Sequence, residues 1–285
     1  MIPAPFDYAA PDSLDEAVAL LARNEDAKVL TGGHSLIPLL KLRLARPALV
    51  VDLRRVPGLT EIRESAEGLE IGGAATHAAI AESDLVRAAA PLIAEVAGII
   101  GDVQVRNAGT IGGSVVHADP AADWPAALLA ARAELVLQGP VGRRVVPAER
   151  FFVGLLESAA QPGEILVAVH VPRASGGAAY EKMAQSASGF ALAGVAVALE
   201  LDGDTIATAR VGVTGVGEHA YRATGVEEAL AGSAVDEDSL RHACRSAAQG
   251  VEALSDLHAS AEYRQHLASV LARRAAVRAV ERARA

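Results

Sequence analysis

Apolar and polar positions follow two periods along the chain, and the switches between them divide it. After Pro11, Ala17, Leu20 and Leu21 share one helical face, and Ser13 with Glu16 has capping-box spacing, so a helix opens here. Lys28 to Leu30 reads as a short strand and Leu49 to Leu53 as a buried one, giving a small α/β unit that ends near Pro57. A hairpin is expected from Leu59–Ile62 to Leu69–Gly73. Thr76–Ser83 and Ala88–Ile100 have helical spacing, with Pro91 early in the second, where a missing N–H is tolerated. Ala133–Leu137, Arg143–Pro147 and Glu164–Pro172 read as strands around Phe151-Phe152.

Ala174-Ser175-Gly176-Gly177-Ala178 has linker composition. Beyond it, Ala191–Leu201 and Thr205–Val216 are long β-like runs joined by Asp202-Gly203-Asp204, a strong hairpin signal. Helical stretches follow at Val226–Leu230, Ser239–Leu254 and Glu262–Ala285. In the last, Tyr263, Leu267, Val270 and Leu271 form one face and the arginines lie elsewhere. No internal repeat and no disordered tail is evident.

Composition narrows the function. The 285 residues are 51% hydrophobic and carry a net charge of −9 without a basic block, which argues against a nucleic-acid partner. No cationic stretch followed by an apolar run opens the sequence and no run of about 18 apolar residues occurs, so the expectation is a cytoplasmic protein without a membrane span. Cys244 is the only cysteine, and an iron–sulfur cluster needs about four thiolates, so redox work in this chain must fall to a bound organic cofactor.

Two glycine-rich stretches carry candidate chemistry. Thr31-Gly32-Gly33-His34-Ser35 lies between two apolar elements, and Asn107-Ala108-Gly109-Thr110-Ile111-Gly112-Gly113-Ser114 repeats its chemistry of hydroxyls flanking two bare amides. Glycines let backbone N–H groups converge on an anion, most often a phosphate; a plain tight turn is the alternative for either stretch alone. Neither G-x-x-x-x-G-K-[ST] nor G-x-G-x-x-G occurs, which disfavours P-loop and Rossmann readings. Asp119-Pro120 and Asp123-Trp124-Pro125 each read as an N-cap with proline in the first turn, and Asp123 reads alternatively as the acceptor for a sugar-like hydroxyl. Gly212–Gly217 reads as a strand-ending turn, and the histidines have no metal-ligand spacing, so no metal and no catalytic side chain is assigned.

Taken together, Thr31–Ser35, Gln104–Ser114 and Asp119–Asp123 resemble the FAD-binding medium subunit of the molybdenum hydroxylases, the group of carbon monoxide dehydrogenase and the xanthine dehydrogenase flavin domain. The resemblance continues through Glu181-Lys182, Ser188–Ala191 and Ala261–Ala268, so it covers nearly the whole chain. It implies an α+β flavoprotein of the vanillyl-alcohol-oxidase (PCMH) type. An FAD-binding domain over 1–173, with subdomains 1–56 and 57–173, would precede a C-terminal domain of antiparallel sheet plus helices over 178–285.

By the same resemblance, Val29, Leu30, Thr31, Gly32, Gly33, His34, Ser35 and Leu36 would wrap the FAD pyrophosphate together with Asn107, Gly109, Thr110, Ile111, Gly112, Gly113 and Ser114. Asp123 would meet its sugar-like part, Asp119 would be a further cofactor-binding position, and Leu166, Lys182 and Phe190 would lie near the isoalloxazine ring. Judged without the resemblance, Leu166 reads as core and Lys182 as a solvated surface charge. Many relatives carry tyrosine where this chain has Phe190, which keeps the stacking surface but removes the hydroxyl.

The implied role is electron transfer from [2Fe–2S] clusters in a small partner subunit to an external acceptor, with the molybdenum cofactor in a large partner subunit. A self-sufficient FAD oxidase and a non-catalytic nucleotide-binding scaffold are the alternatives. Valine at Gly33 or Gly112 is expected to strip FAD and leave the fold largely intact.

Overall fold

The computed structural model of the chain describes residues 2–285. The N-terminal unit contains β1 (Asp7–Ala9), α1 (Leu14–Arg23), β2 (Lys28–Leu30), α2 (Leu36–Lys41) and β3 (Leu49–Asp52). Ser13 caps α1 as its spacing implies, accepting the Glu16 N–H at 3.2 Å, and Ala17, Val18 and Leu21 are buried. The strands form a parallel sheet in the order β1-β3-β2, which buries every residue of β3. Pro38 falls inside α2, where at the third helical position a missing N–H breaks no hydrogen bond.

The second unit begins with the hairpin β4 (Ile62–Glu64) and β5 (Gly68–Gly72). Five short helices follow: α3 (His77–Glu82), α4 (Asp84–Ala89), α5 (Pro91–Ile99), α6 (Val103–Ala108) and α7 (Ile111–His117). The helix expected over 88–100 therefore starts at Pro91, and residues before it belong to α4, capped by Ser83. Buried α8 (Trp124–Ala130) leads into β6 (Glu134–Gly139), β7 (Gly142–Pro147), the small β8 (Phe152–Gly154) and β9 (Glu157–Ser158) pair, and β10 (Ile165–Pro172). The five-stranded antiparallel sheet runs β4-β5-β10-β6-β7.

Both faces of that sheet are covered, which explains the unbroken apolar run of β10. Leu69, Ile71, Leu135, Leu137, Leu166 and Val169 pack into a core with α3, α5 and Trp124, while Val136, Ile165 and Val167 join Ala17, Val18, Leu21 and Val51 of the first unit. A sheet buried twice needs apolar side chains at successive positions.

The last unit starts inside the stretch with linker composition, because β11 (Gly177–Ala184) begins at Gly177. It continues as β12 (Ala191–Asp202), β13 (Thr205–Thr214), β14 (Tyr221–Arg222), α9 (Thr224–Leu230), α10 (Glu237–Ala243) and α11 (Ala261–Arg284), with an antiparallel sheet in the order β11-β12-β13-β14. The β12–β13 hairpin forms as its turn implies, with Gly203 at φ +58. The helix expected over 239–254 stops at Ala243 and gives way to a short 3-10 turn before Gly250 at φ +76. On α11 the buried face extends through Leu267, Ala268, Leu271, Ala272, Ala275 and Ala279, and its alanines let the helix sit close against β11 and β12. One arginine departs from the expected polar face: Arg264 is buried, donating to the carbonyls of Leu192 and Gly215 at 2.6 and 2.7 Å and pairing with Asp256 at 2.7 Å.

Ion pairs and backbone hydrogen bonds join this unit to the second. Glu95 on α5 pairs with Arg278 and Arg282 on α11 at 2.7 and 2.6 Å. The 119–123 segment is stitched to the strand ends: the Gly215 N–H donates to Pro120 O at 2.7 Å and the Ala191 N–H to Ala121 O at 3.1 Å. Among the described residues, no helix is long and apolar enough to cross a membrane.

Candidate functional site

The first glycine stretch turns the chain from β2 into α2. Gly33 sits at φ +74, where a Cβ would be strained and would also stand 2.6 Å from Ile37 Cδ1. Gly32 is required for a different reason: a Cβ there would overlap the Ala108 carbonyl oxygen and come within 2.7 Å of Gly109 Cα, so this glycine touches the second stretch directly. Among the described residues, none of the N–H groups of Gly32, Gly33, His34 and Ser35 is donated to a backbone carbonyl, and Ser35 makes no side-chain cap to α2. Unpaired amides in a glycine turn form an anion-binding concavity.

The second stretch has another construction. Gly109 separates α6 from α7, and Gly112, Gly113 and Ser114 lie in the first turn of α7 rather than in a loop. Its amides are already donated: Ile111 N–H to Ala75 O at 3.0 Å, Gly112 N–H to Gly73 O at 2.8 Å, and Gly113 N–H to Thr110 Oγ1 at 3.2 Å. These glycines therefore contribute closeness, since a Cβ on Gly112 would stand 3.0 Å from Gly73 Cα. Valine at Gly112 would consequently disturb the fold as well as the site, which corrects the expectation of an intact fold. Asn107 is exposed and donates to Val103 O at 2.8 Å.

The two stretches meet at a hydroxyl pair. Thr31 Oγ1 and Thr110 Oγ1 lie 2.8 Å apart, and Gly113 fronts this joint, its missing Cβ being 3.0 Å from Thr31 Oγ1. Beside the joint is His77, 3% exposed, whose Nδ1 accepts the indole N–H of fully buried Trp124 at 3.1 Å. Burial, and then the charges of His34 and Arg106, push the His77 imidazole down from 6.5 to about 4. Because the folded state resists a proton that the unfolded chain accepts, stability is complete above the ordinary value. It falls as the pH drops from about 6.5 to about 4. Urea unfolding at pH 7 and pH 4 should show this loss, of order 3 kcal/mol, and His77→Gln should remove most of that slope.

The remaining expected residues form a second cluster. Asp119 accepts the Ala121 N–H at 2.8 Å, closing a local turn rather than capping a helix. Asp123 occupies the N-cap position of α8 without a side-chain cap; its carboxylate instead accepts from Tyr180 Oη at 2.6 Å and Lys182 Nζ at 2.9 Å. The Lys182 side chain is largely buried, not solvated, with 10% exposed against 5% for Asp123, and it also donates to Ile99 O at 3.2 Å and Gly189 O at 3.0 Å. Burial pushes the Asp123 carboxyl above its ordinary range, an effect that Lys182 and Tyr180 oppose. Burial and the adjacent Asp123 carboxylate hold the Tyr180 phenol well above its own.

Leu166 is buried in β10, with its backbone against Gly73, the residue that receives the Gly112 N–H. Phe190 is 46% exposed, directly after Gly189 at φ +76, in a turn closed by the Gln185 N–H to Phe190 O at 2.8 Å. The structure thus brings Thr31–Ser35 and Gly109–Ser114 together, and separately Asp123, Lys182 and the Gly189–Phe190 turn. His77, Trp124 and Tyr180 were not found from sequence. Tyr180 falls in β11, which linker-like composition concealed, and His77 follows the Thr76 cap as an ordinary helix-start residue. Among the described residues, no group of His, Cys, Asp or Glu is arranged to hold a metal ion.

This arrangement has known counterparts. Residues 4–174 match the family described as the FAD binding domain in molybdopterin dehydrogenase, and residues 178–279 match the CO dehydrogenase flavoprotein C-terminal domain. The carbon monoxide dehydrogenase medium chain of Hydrogenophaga pseudoflava is 40% identical over 278 residues, covering 96% of this chain and 97% of that one. The 6-hydroxypseudooxynicotine dehydrogenase complex subunit alpha of Paenarthrobacter nicotinovorans is 38% identical over 288 residues, covering 100% and 97%. Among solved structures, a chain of the Hydrogenophaga pseudoflava carbon monoxide dehydrogenase that lacks the Mo-pyranopterin moiety matches with a TM-score of 0.96 and 42% identity. That match covers 99% of this chain and all of its counterpart.

Proposed function

The chain belongs to the family of FAD-binding medium subunits of the molybdopterin dehydrogenases, and from that membership we propose that it carries electrons within a heteromeric molybdenum hydroxylase. Electrons enter from [2Fe–2S] clusters of a small partner subunit and leave to an external acceptor, while a large partner subunit holds the molybdenum cofactor and oxidises the substrate. FAD is the cofactor of this chain, and its two-domain fold is of the PCMH type with the C-terminal domain of the CO dehydrogenase flavoproteins.

One observation carries the site assignment: four consecutive amides, Gly32 to Ser35, without backbone acceptors among the described residues, beside a joint where Thr31 meets Thr110. That donor set fits a pyrophosphate, which needs several N–H groups at close range and no intervening Cβ. In this reading the flanking residues Val29, Leu30 and Leu36 place the turn. Asn107, Gly109, Ile111, Gly112 and Ser114 form the opposing wall, and Thr110 and Gly113 form its edge. The 1–173 part thereby grips the dinucleotide, and the 178–285 part contributes Lys182 and Phe190 toward its ring. Leu166 supports the floor. Asp123 has both carboxylate oxygens engaged, so it acts on the cofactor through Lys182, and Asp119 shapes the turn that holds Asp123.

Bound there, FAD supplies both one- and two-electron exchange, which no side chain of this chain offers. The chain's own residues bind, orient and shield. Cys244 is buried and its thiol is pushed up to about 12 by burial, so it takes no part in thiol redox chemistry.

Co-expression with candidate iron–sulfur and molybdenum subunits tests the reading. A complex of all three chains with flavin absorbance overlaid on iron–sulfur bands is expected, and the isolated chain should oxidise no organic substrate. A complex purified without flavin, or substrate-dependent bleaching of flavin by the isolated chain, would overturn it.

A further inference from the structure

The His77–Trp124 pair has chemistry that its packing does not require. An indole nitrogen can only donate, so the 3.1 Å contact fixes His77 Nδ1 as the acceptor and leaves the ring proton on Nε2. The rings are tilted by 44° with centroids 5.8 Å apart, and Trp124 is fully buried, so this tautomer is held rigidly.

Nε2 faces the junction of the two glycine stretches. A Cβ on Gly109 would stand 2.9 Å from it, and Gly109 Cα is the same atom that a Cβ on Gly32 would approach at 2.7 Å. No described residue accepts the Nε2 proton. The neighbouring hydroxyls of Thr31 and Thr110 satisfy each other, so His77 contributes the unmatched donor at the edge of the free amides of residues 32–35.

We propose that His77 is a further FAD-binding residue, its Nε2–H donating to a pyrophosphate oxygen, and that Trp124 is the positioning residue that holds the required tautomer. The proposal rests on the dinucleotide reading of the glycine crevice. It gives the buried histidine a neutral donor role, which suits a position beside Arg106 and His34, where a further positive charge is disfavoured.

The test uses the full chain labelled with 15N-histidine, followed by two-bond 1H–15N correlation spectra before and after addition of one equivalent of FAD. The FAD-free chain should show His77 protonated at Nε2 alone; with FAD the Nε2 proton should move downfield and exchange with water more slowly. His77→Leu should weaken FAD binding at least about tenfold, the low end of what one hydrogen bond to a charged oxygen contributes. His77→Gln, which can accept from Trp124 and donate from its other end, should recover part of that loss. FAD bound stoichiometrically with an unchanged Nε2 signal would overturn the proposal and leave the crevice reading standing. Failure of the full chain and of its assembled complex to hold FAD would overturn both. Should His77→Leu not fold, the wild-type spectra decide the matter alone.

Discussion

Gly32→Ala should separate the two glycine stretches and release FAD. The added Cβ would overlap the Ala108 carbonyl oxygen and press on Gly109 Cα at 2.7 Å, and both neighbours are backbone, so no side-chain rotation relieves the clash. The segments must move apart, which breaks the 2.8 Å Thr31–Thr110 hydroxyl contact. Overpacking of this kind costs about 1–3 kcal/mol of stability. The loss in FAD affinity should be larger than that figure suggests, because the amides of residues 32–35 move with Gly32. Losing one hydrogen bond to a charged oxygen is worth about 1.5–3 kcal/mol, or roughly 10- to 150-fold in Kd. Gly98→Ala provides the contrast: it lies in α5 with only Ala81 Cβ at 3.9 Å, so it should bind FAD normally and be neutral or slightly stabilised. Fluorescence titration with FAD and urea unfolding measure the two effects, and wild-type affinity in Gly32→Ala would sink the two-stretch clamp.

The largest loss of stability should come from Lys182→Met. The ammonium is shared among Asp123 at the N-cap of α8, Ile99 O at the end of α5 and Gly189 O in the β11–β12 turn, so one side chain joins the two domains. Removing it leaves the Asp123 carboxylate buried with only Tyr180 as partner, and breaking a buried pair from one side costs about 3–5 kcal/mol. The penalty depends on pH in a definite direction. Burial already raises the folded Asp123 carboxyl above its ordinary 3.8, and loss of Lys182 raises it further. The folded state of the variant then holds a proton that the unfolded chain has released, so stability is retained below the unfolded value and lost as the pH rises through the folded one. Unfolding at pH 5 and pH 8 should therefore diverge in Lys182→Met and converge in the Asp123→Asn/Lys182→Met double variant, which carries no buried charge at this point. Equal stability of Lys182→Met and wild type at pH 8 would show that the pair contributes nothing net.

Much of the architecture was legible because local signals and tertiary packing agree. Ser13 caps α1, Pro91 starts α5, and Asp202-Gly203-Asp204 closes the β12–β13 hairpin, each through chemistry confined to a few neighbouring residues. The misreadings share an origin in context. Gly176 and Gly177 resemble a linker, yet a Cβ on Gly177 would overlap the Ala279 carbonyl, so that glycine is there to seat β11 under α11. The apolar periodicity of 239–254 outlasts the helix because Cys244 and Ala247 are buried from a 3-10 turn. Arg264 looked solvent-facing by type, but on α11 it is placed where two carbonyls and Asp256 satisfy its guanidinium.

The candidate site divides in the same way. By itself the sequence determined the chemistry available: paired glycines with hydroxyls at two separate places, one cysteine too few for any cluster, and motifs that identify the family. Composition and spacing are local properties, and a sequence displays them directly. Only the tertiary structure decided which amides are free, because a hydrogen bond between Gly112 and Gly73 or a contact between Gly32 and Ala108 depends on distance in space. It also turned Lys182 from a surface charge into a buried tie and gave His77 a fixed proton, since burial and partner geometry, not residue type, set what a polar side chain can do.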